Sequence, residues 1–462
     1  MNPMMPTTLR FLVATLALFA VGCSAVVHTP YVRPAIDTPA QWDVATPAAA
    51  DADGGRWWMR FGDPELERVI DAALARNNDL AAAAIRVRRA ELQAGLAANA
   101  LVPSLDAGLN SSANRNLDDG GPSGRSNSAS IGVSYVVDLW GRLGSQRDAA
   151  RWEAEATAAD LASARLALIG TTAGLYWQLA WLNERIVASE ASIGYAQRTL
   201  DLVRVQHGAG AVSRLEVSDA EQNLLSQRAA HVQLVQQRSE TRNAFAILFD
   251  AAPGATIADP QRLSTSALPA ITAGLPAELL ARRPDLRAAE LRLRATLAAV
   301  GATRASYYPS LNLTAGVGSS STSLADVLRN PVGTLGAGLS LPFLNVRQRR
   351  LDIRVSQTQY EEAVVDFRQT LYQALADTAN ALAARETLAT RAQLLDDALA
   401  ATRTSERLYE VRYRAGAVAL RSWLDAQERR RSAETAAADI QLARLNGQVT
   451  LYQALGGDAI VD

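Results

Sequence analysis

The 462-residue chain contains no lysine: all 46 of its basic residues are arginines, and they face 47 acidic residues for a net charge of −1. This balance gives no support to a nucleic-acid or anionic-membrane partner. Alanine is abundant, and we attribute the missing lysine to a GC-rich genome rather than to a chemical requirement.

Cysteine and histidine are also scarce. The single cysteine, Cys23, excludes an intrachain disulfide framework. The three histidines, His28, His207 and His231, do not have the spacing of metal ligands. The sequence has no Gly-rich phosphate loop, nucleophile elbow or Ser/His/Asp order. We therefore expect no enzyme, no metal site and no dissociable cofactor.

The N-terminus has the pattern of an export signal. Arg10 precedes an apolar run over residues 11–21, which is shorter than the roughly 20 residues that a membrane-spanning helix needs. Residues 1–22 are thus predicted to be a signal peptide. Gly22-Cys23 resembles the lipobox of bacterial lipoproteins, with Ala20 where leucine is usual. The alternative is an ordinary signal peptide in which Cys23 has no role.

Residues 23–60 are predicted to form an extended tether, because they are rich in proline, alanine and aspartate without a sustained period. At its end, Trp57 and Trp58 have two interpretations: an anchor packed against helices, which we favour, or a ligand-stacking pair. Asp63 and Pro64 then have the pattern of a helix N-cap and first helical position.

An internal duplication organises the rest of the chain. Gly210 aligns with Gly416 (416 − 210 = 206) and Asp219 with Asp425 (425 − 219 = 206). This shift is far longer than a solenoid repeat. We expect a first repeat over 61–255, a linker over 256–273 and a second repeat over 274–458.

Each repeat contains two segments of period-two alternation, at about 104–110 and 131–138 and at about 311–317 and 335–341. Four strands are too few for a membrane barrel, which needs about eight. Two interpretations follow: several chains share a barrel wall, or the strands form a small soluble antiparallel sheet. Tyr307 and Tyr308 are the clustered aromatic residues available for a membrane rim.

A long helical hairpin follows each strand pair, over 142–249 and 346–455. Residues 142–206 lack proline, and Leu161, Leu168, Leu175 and Leu182 recur every seven residues as in a coiled coil. A helix of this length would reach roughly 97 Å.

The two hairpin turns are the candidate contact sites. They comprise Gly210, Ala211 and Val212 in the first copy and Gly416, Ala417 and Val418 in the second. The simpler interpretation is that glycine is present only because the chain reverses. Ser213 and Glu216 have capping-box spacing, which the second copy lacks because Ala419 and Ser422 stand there.

These motifs together resemble the TolC-like outer-membrane efflux proteins, in particular the lipoprotein branch that works with resistance-nodulation-division pumps. The markers are Gly22-Cys23, Trp57-Trp58 through Leu66, Asp138-Leu139-Trp140-Gly141-Arg142, Gly274 through Glu290, and Leu424-Asp425-Ala426-Gln427.

The resemblance implies a mainly α fold with a membrane β-barrel. Three chains with four strands each would form a 12-stranded barrel in the bacterial outer membrane, and the long helices would continue it as a periplasmic tunnel. It also implies an outer-membrane lipid anchor, with palmitate on Cys23, and Ser24 fits that destination. The partners implied are a periplasmic adaptor protein and an inner-membrane resistance-nodulation-division pump.

The function implied is passive conduction of drugs or other small toxic compounds from the periplasm to the exterior. The alternative is a non-conducting periplasmic coiled-coil lipoprotein scaffold, which the alternating strands disfavour.

The resemblance places a periplasmic gate at the second turn, at Asp425 with Arg421 and Ser422, and Glu216 and Asp219 are its counterparts in the first copy. One hypothesis is that three copies of Asp425 narrow the pore and favour cations. The other is that Arg421 and Asp425 form a plain i,i+4 surface pair. The arginine run 429–431 is expected to be a solvated helix face.

Overall fold

The computed structural model describes residues 29–35, 39–42, 56–115, 124–255, 258–271 and 276–457. The predicted signal peptide and Cys23 lie outside these residues. Helices and strands alternate in two similar series. The first contains α1 (Pro64–Arg76), α2 (Asn78–Asn99), β1 (Ser104–Asn114), β2 (Gly124–Val137), α3 (Arg142–Gly208) and α4 (Arg214–Ile247). The second contains α5 (Leu279–Arg282), α6 (Pro284–Ala305), β3 (Ser310–Ser321), β4 (Val332–Ser340), α7 (Val346–Arg414) and α8 (Leu420–Ala454).

The duplication is visible in the element bounds. Helix α2 begins at Asn78 and α6 at Pro284 (284 − 78 = 206), and α4 begins at Arg214 and α8 at Leu420 (420 − 214 = 206). The predicted long helices are observed as 67 and 69 residues in α3 and α7. The heptad leucine Leu182 of α3 is fully buried, as is Leu371 of α7.

The chain divides into two compact units. The first contains the strands and the helix segments that adjoin them, within Ile85–Ala159 and Arg287–Thr370. The second contains the remaining lengths of the helical hairpins and the connection between the repeats.

In the first unit the four strands form one antiparallel sheet in the order β1-β2-β3-β4. They are longer than predicted, because residues assigned to loops continue the ladder: Ser112 pairs with Ser126 and Ser128 with Ser320. Alternation of apolar side chains stops before the backbone pairing does, which is why the prediction ended each strand too early.

Part of the predicted N-terminal tether is bound rather than free. Residues 29–35 lie against α6, where Glu290 accepts hydrogen bonds from the Tyr31 hydroxyl at 3.2 Å and from Arg33 Nη2 at 2.7 Å. Arg294 Nη2 donates to the same carboxylate at 2.9 Å, and its guanidinium lies 4.8 Å from the centre of the Tyr31 ring. We call this arrangement the Glu290 clamp. The proline content of the segment explains its extended form but did not reveal its docking site.

In the second unit, the two tryptophans form the predicted anchor. Trp57 and Trp58 are each 1% exposed, and the Trp57 ring stacks on Tyr452 with the ring centroids 4.5 Å apart. Asp63 caps α1 as predicted, accepting from the backbone of Glu65 at 3.0 Å and Leu66 at 3.1 Å. The connection between the repeats is also packed, with Leu263 and Ile271 buried.

No helix within the described part of the chain is both long enough and apolar enough to cross a bilayer.

Candidate functional site

The sheet has one apolar face and one polar face, and strand register brings each kind of residue together. Leu105 lies opposite Val133, which lies opposite Ala315 on β3, and Ala315 pairs with Leu335 on β4. The neighbouring row, on the other face, is Ser104, Ser134, Thr314 and Gly336. Leu105, Leu109 and Leu335 are 74%, 86% and 91% exposed within the single chain. A sheet with an uncovered apolar face and a hydrophilic opposite face is suited to a barrel wall between lipid and water.

An aromatic pair marks one end of this sheet. The Trp140 indole Nε1 donates to the Pro309 carbonyl at 2.8 Å, and its ring lies 4.7 Å from that of Tyr308. Tryptophan and tyrosine with one apolar and one polar end concentrate at membrane–water interfaces. Tyr308 was predicted as a rim residue, and the structure places Trp140 beside it. Trp140 follows β2 and Tyr308 precedes β3, so the pairing of these two strands brings the two rings together.

The two hairpin turns have the same backbone geometry. Gly210 and Gly416 adopt positive φ values of 75° and 70°. In each turn the residue after the glycine donates to a carbonyl five residues earlier, Ala211 to Gln206 at 2.9 Å and Ala417 to Arg412 at 2.8 Å. This is a Schellman C-cap, which requires a left-handed residue at the glycine position. Chain reversal therefore accounts for the left-handed conformation of both glycines.

The turn residues divide into two groups by burial. Gly210, Ala211, Gly416 and Ala417 are exposed. Val212 and Val418 are half-buried against a shared apolar cluster. This tip cluster joins both hairpins, and its buried members are Ala196, Leu200, Val203, Val217, Ala220, Leu224, Tyr413, Leu420 and Trp423.

A buried carboxylate lies beside the tip cluster. Glu406 on α7 is 8% exposed, and its Oε1 accepts from the Tyr195 hydroxyl at 2.9 Å and from Trp423 Nε1 at 3.2 Å. These donors belong to α3 and α8. Burial and the hydrogen bond to Glu406 together raise the pKa of the Tyr195 hydroxyl, which therefore remains a proton donor. This three-helix junction could not be predicted from the sequence, because nothing in the local pattern connects residues 195 and 406.

The capping-box prediction for the first tip is confirmed. The Ser213 hydroxyl accepts from the Leu215 backbone at 3.2 Å, and the Glu216 carboxylate accepts from the Ser213 backbone at 3.0 Å. The hydrogen bond from Ser213 lowers the pKa of Glu216. At the second tip, Ala419 provides no side-chain cap. The first tip is therefore anchored by side-chain bonds that the second does not have.

Asp219, Arg421 and Asp425 line one groove of about 580 Å³ between α3, α4 and α8. Arg421 Nε and Asp425 Oδ1 are 3.9 Å apart, and the two side chains are 76% and 54% exposed. An ion pair this open has little effect on stability. Ser422 and Glu216 do not line this groove. The structure thus unites the two duplicated aspartates with one arginine and separates the other two candidates from them.

The same groove contains charged residues that sequence analysis did not select, including Arg185, Glu428, Arg431 and Glu434. Arg431 was expected on a solvated helix face, and that expectation was wrong: its side chain is 12% exposed. Its Nη2 donates to Glu428 at 2.6 Å and to Asn223 on α4 at 3.4 Å. A three-residue arginine run cannot lie entirely on one helix face, since consecutive residues are about 100° apart.

Among the residues that the structure describes, no group of three or more His, Cys, Asp or Glu side chains is placed to hold a metal ion.

A family model described as outer membrane efflux protein matches residues 69–248 and again 275–457. The chain belongs to this family.

Relatives and solved structures of efflux channels match along most of the chain. The pyoverdine export outer membrane protein OpmQ of Pseudomonas putida is 34% identical over 440 residues, covering 91% of this chain and 92% of the relative. The open state of the Neisseria gonorrhoeae MtrE outer membrane channel is 30% identical, with a TM-score of 0.79 and coverage of 93% and 98%. The outer-membrane channel OprN is 26% identical, with a TM-score of 0.82 and coverage of 92% and 99%.

These similarities settle the fold class and the general function. The chain has the fold of the TolC-like trimeric channels, in which trimerisation forms the barrel from four strands per chain. It is an outer-membrane efflux channel of a tripartite pump, with an extension into the periplasm. The shared-barrel interpretation of the strands is therefore confirmed. The family and its structural neighbours are transport channels rather than enzymes.

Proposed function

We propose that three copies of this chain conduct small toxic compounds passively from the periplasm to the exterior, in a pump driven by an inner-membrane resistance-nodulation-division protein. The observation that carries the proposal is the strand register, which lines one face of the sheet with serine, threonine and glycine and the other with leucine, valine and isoleucine. Such a wall holds a water-filled path across lipid. The sequence has no phosphate-binding loop for a nucleotide, and we expect the inner-membrane pump to supply the energy.

A relative 34% identical to this chain is a pyoverdine export protein, which makes pyoverdine the first compound to test. We expect the inner-membrane pump to select the compound, because the hollow of about 640 Å³ on the wet face of the sheet is lined mainly by serine, threonine and glycine. Sites that hold one small molecule are instead lined mainly by hydrophobic and aromatic side chains.

The groove lined by Asp219, Arg421 and Asp425 is our proposed periplasmic gate. Its support is that two acidic residues at equivalent positions of the repeats line the same groove. Three copies around the pore would bring six carboxylates to one level, and acidic rings of this kind favour cations. The second tip is our proposed moving element, because it lacks the side-chain cap that anchors the first.

We propose that the periplasmic adaptor binds the exposed turn residues Gly210, Ala211, Gly416 and Ala417. Their support is exposure together with small size, since glycine and alanine let another backbone approach closely. Val212 and Val418 would act indirectly, by fixing each turn on the tip cluster.

Acylation of Cys23 is the proposed anchor to outer-membrane lipid. The Glu290 clamp supports a defined path for the tether, because it fixes residues 31 and 33 a short distance along the chain from this cysteine. One acyl chain gives only marginal membrane binding, so the barrel would remain the main attachment.

Single-channel recording of the purified trimer in planar bilayers tests conduction. We expect stable ohmic conductance without a pump or nucleotide. Trimers that insert and yet carry no current would instead favour the non-conducting scaffold. A Cys23→Ser variant tests the anchor separately: we expect trimers that still conduct when reconstituted but contain no acyl mass.

A further inference from the structure

The apolar face of the sheet contains a groove of about 720 Å³. Its floor is formed by outward side chains of β1, β2 and β3, and one wall is formed by the connection between β3 and β4. Most of its lining is apolar, from Ala107, Leu109, Ala129, Ile131, Val317, Leu328 and Pro331, and Ser130 and Ser319 also line it. The volume lies within the roughly 300–1,000 Å³ range of small-molecule sites.

The position of the groove restricts its occupant to hydrocarbon. Leu109, Ile131 and Val317 belong to the apolar rows of the register, which the barrel presents to lipid. Their sequence neighbours Gly108, Ser130 and Gly318 belong to the alternate rows, on the opposite face. Leu109 and Leu328 stay 86% and 75% exposed in the single chain. All lining residues come from one chain, so each trimer carries three such grooves.

One wall of the groove comes from the exterior end of the barrel, and its floor reaches back to the middle of the β1–β2 ladder. The connection between β3 and β4 is at the sheet end opposite to Pro309, Trp140 and the start of α3. Because the helices extend into the periplasm, that connection faces the outside of the cell. The lipid beside it therefore belongs to the outer leaflet.

Polarity increases from the groove towards the strand ends, on the same face. Asn127 and Ser111 follow Ala129 and Leu109, and their side chains are hydrogen-bonded at 2.7 Å. Arg125 comes next, four residues and roughly 13 Å beyond Ala129. Arg329, directly after Leu328, is 78% exposed and pairs with Asp326 at 2.9 Å. Arg125 and Arg329 therefore lie between the groove and the strand ends, at the level where a lipid phosphate group would lie. Arginine binds phosphate oxygens through two parallel N–H donors.

We propose that this groove binds the acyl chains of a phosphorylated glycolipid of the outer leaflet, with Arg125 and Arg329 at its phosphate groups. The continuity of the groove with the lipid-facing surface selects an acyl chain. The exterior location and the two arginines select the glycolipid, which forms most of the outer leaflet, over the phospholipids of the inner one. Bound glycolipid would hold the β3–β4 connection against the outer wall of the barrel and away from the pore mouth.

Native mass spectrometry of purified trimers tests the proposal. Trimers are equilibrated with an equimolar mixture of hexa-acylated lipid A and dioleoyl phosphatidylglycerol, and the retained lipids are counted. We expect up to three lipid A molecules per trimer. Ala129→Phe should fill the groove and weaken lipid A retention about ten-fold or more, whereas Ala337→Phe, on the same face of β4 and outside the groove, should retain it.

Arg125→Gln separates the headgroup from the chains without a change in the sheet. It should weaken lipid A retention about ten-fold, the scale of one charge-assisted contact, and leave retention of dephosphorylated lipid A unchanged. Equal retention by wild type, Ala129→Phe and Ala337→Phe trimers overturns the groove site. Phosphatidylglycerol retained as well as lipid A overturns the glycolipid assignment.

Discussion

The Tyr195 hydroxyl on the first helical hairpin donates a 2.9 Å hydrogen bond to Glu406 on the second, 211 residues away. Trp423 donates to the same oxygen from the helix that follows the second tip, and its ring stacks on Tyr413 with centroids 5.1 Å apart. One buried carboxylate thus connects the proposed gate helix to a helix of each repeat.

Tyr195→Phe should loosen this junction. It removes one hydrogen bond to a buried carboxylate, and such bonds to charged groups are worth roughly 1.5–3 kcal/mol. We expect a larger open fraction in single-channel recordings. Arg204→Gln is the matched control, because it breaks the exposed Arg204–Glu221 pair at 2.9 Å in the same hairpin region. An equal gain of open fraction in both variants would mean that Glu406 has no special role in closure.

Much of the fold could be predicted because it depends on local pattern. Residues 142–206 lack proline and contain leucines every seven residues. This pattern predicts the end of α3 to within two residues of its observed position. Strand ends were missed where serine and asparagine continue the ladder, since period-two hydrophobicity no longer marks them. The Glu406 junction and the burial of Arg431 depend on contacts between helices that are far apart in the chain. No regular spacing of residues in the sequence indicates which of these helices will be neighbours.

Asp425→Ala tests the acidic gate. If three Asp425 carboxylates narrow the pore, the variant should show higher conductance and a smaller cation preference in the reversal potential across a KCl gradient. Asp201→Ala is the control, since this exposed aspartate on α3 accepts a hydrogen bond from its helix neighbour Gln197 at 3.0 Å and does not line the groove. Unchanged conductance and ion selectivity would leave Arg421 and Asp425 as the plain surface pair.

Acid should release the N-terminal segment from the Glu290 clamp. Burial alone would raise the pKa of Glu290, but hydrogen bonds from Arg33 and Arg294 outweigh it and hold the pKa below the ordinary 4.5. A carboxyl with a depressed folded pKa contributes stability above its unfolded pKa, and the contribution is lost as pH falls through the folded value. The segment should therefore stay docked at neutral pH and detach only below about 4.5.

A nitroxide at Val32, which is 75% exposed, reports this release when Val32→Cys is combined with Cys23→Ser. Its electron paramagnetic resonance spectrum should broaden on docking and sharpen in acid. Glu290→Gln should give the sharp spectrum at every pH. Glu153→Gln, which removes the exposed pair with Arg292 at 3.5 Å, should behave as wild type. A label that remains mobile in wild type at neutral pH would contradict the clamp.

Gly456→Ala adds only one methyl group, but we expect it to destabilise the second compact unit clearly. The residue has a φ of 91°, and an added Cβ would lie 2.6 Å from the Arg282 carbonyl oxygen, so both backbone strain and a backbone clash oppose it. Strain at such a φ alone costs about 1–3 kcal/mol.

Gly208→Ala is the matched comparison, because Gly208 ends α3 with nothing within 4 Å of an added Cβ. Alanine there should be neutral or stabilise the helix by up to about 1 kcal/mol. Thermal unfolding of the two trimers, followed by helical circular dichroism, should show a lower Tm only for Gly456→Ala. Equal Tm values would mean that the turn after α8 can move away from Arg282 at little cost. The close approach of Gly456 to Arg282 would then not be what holds the end of the second repeat in place.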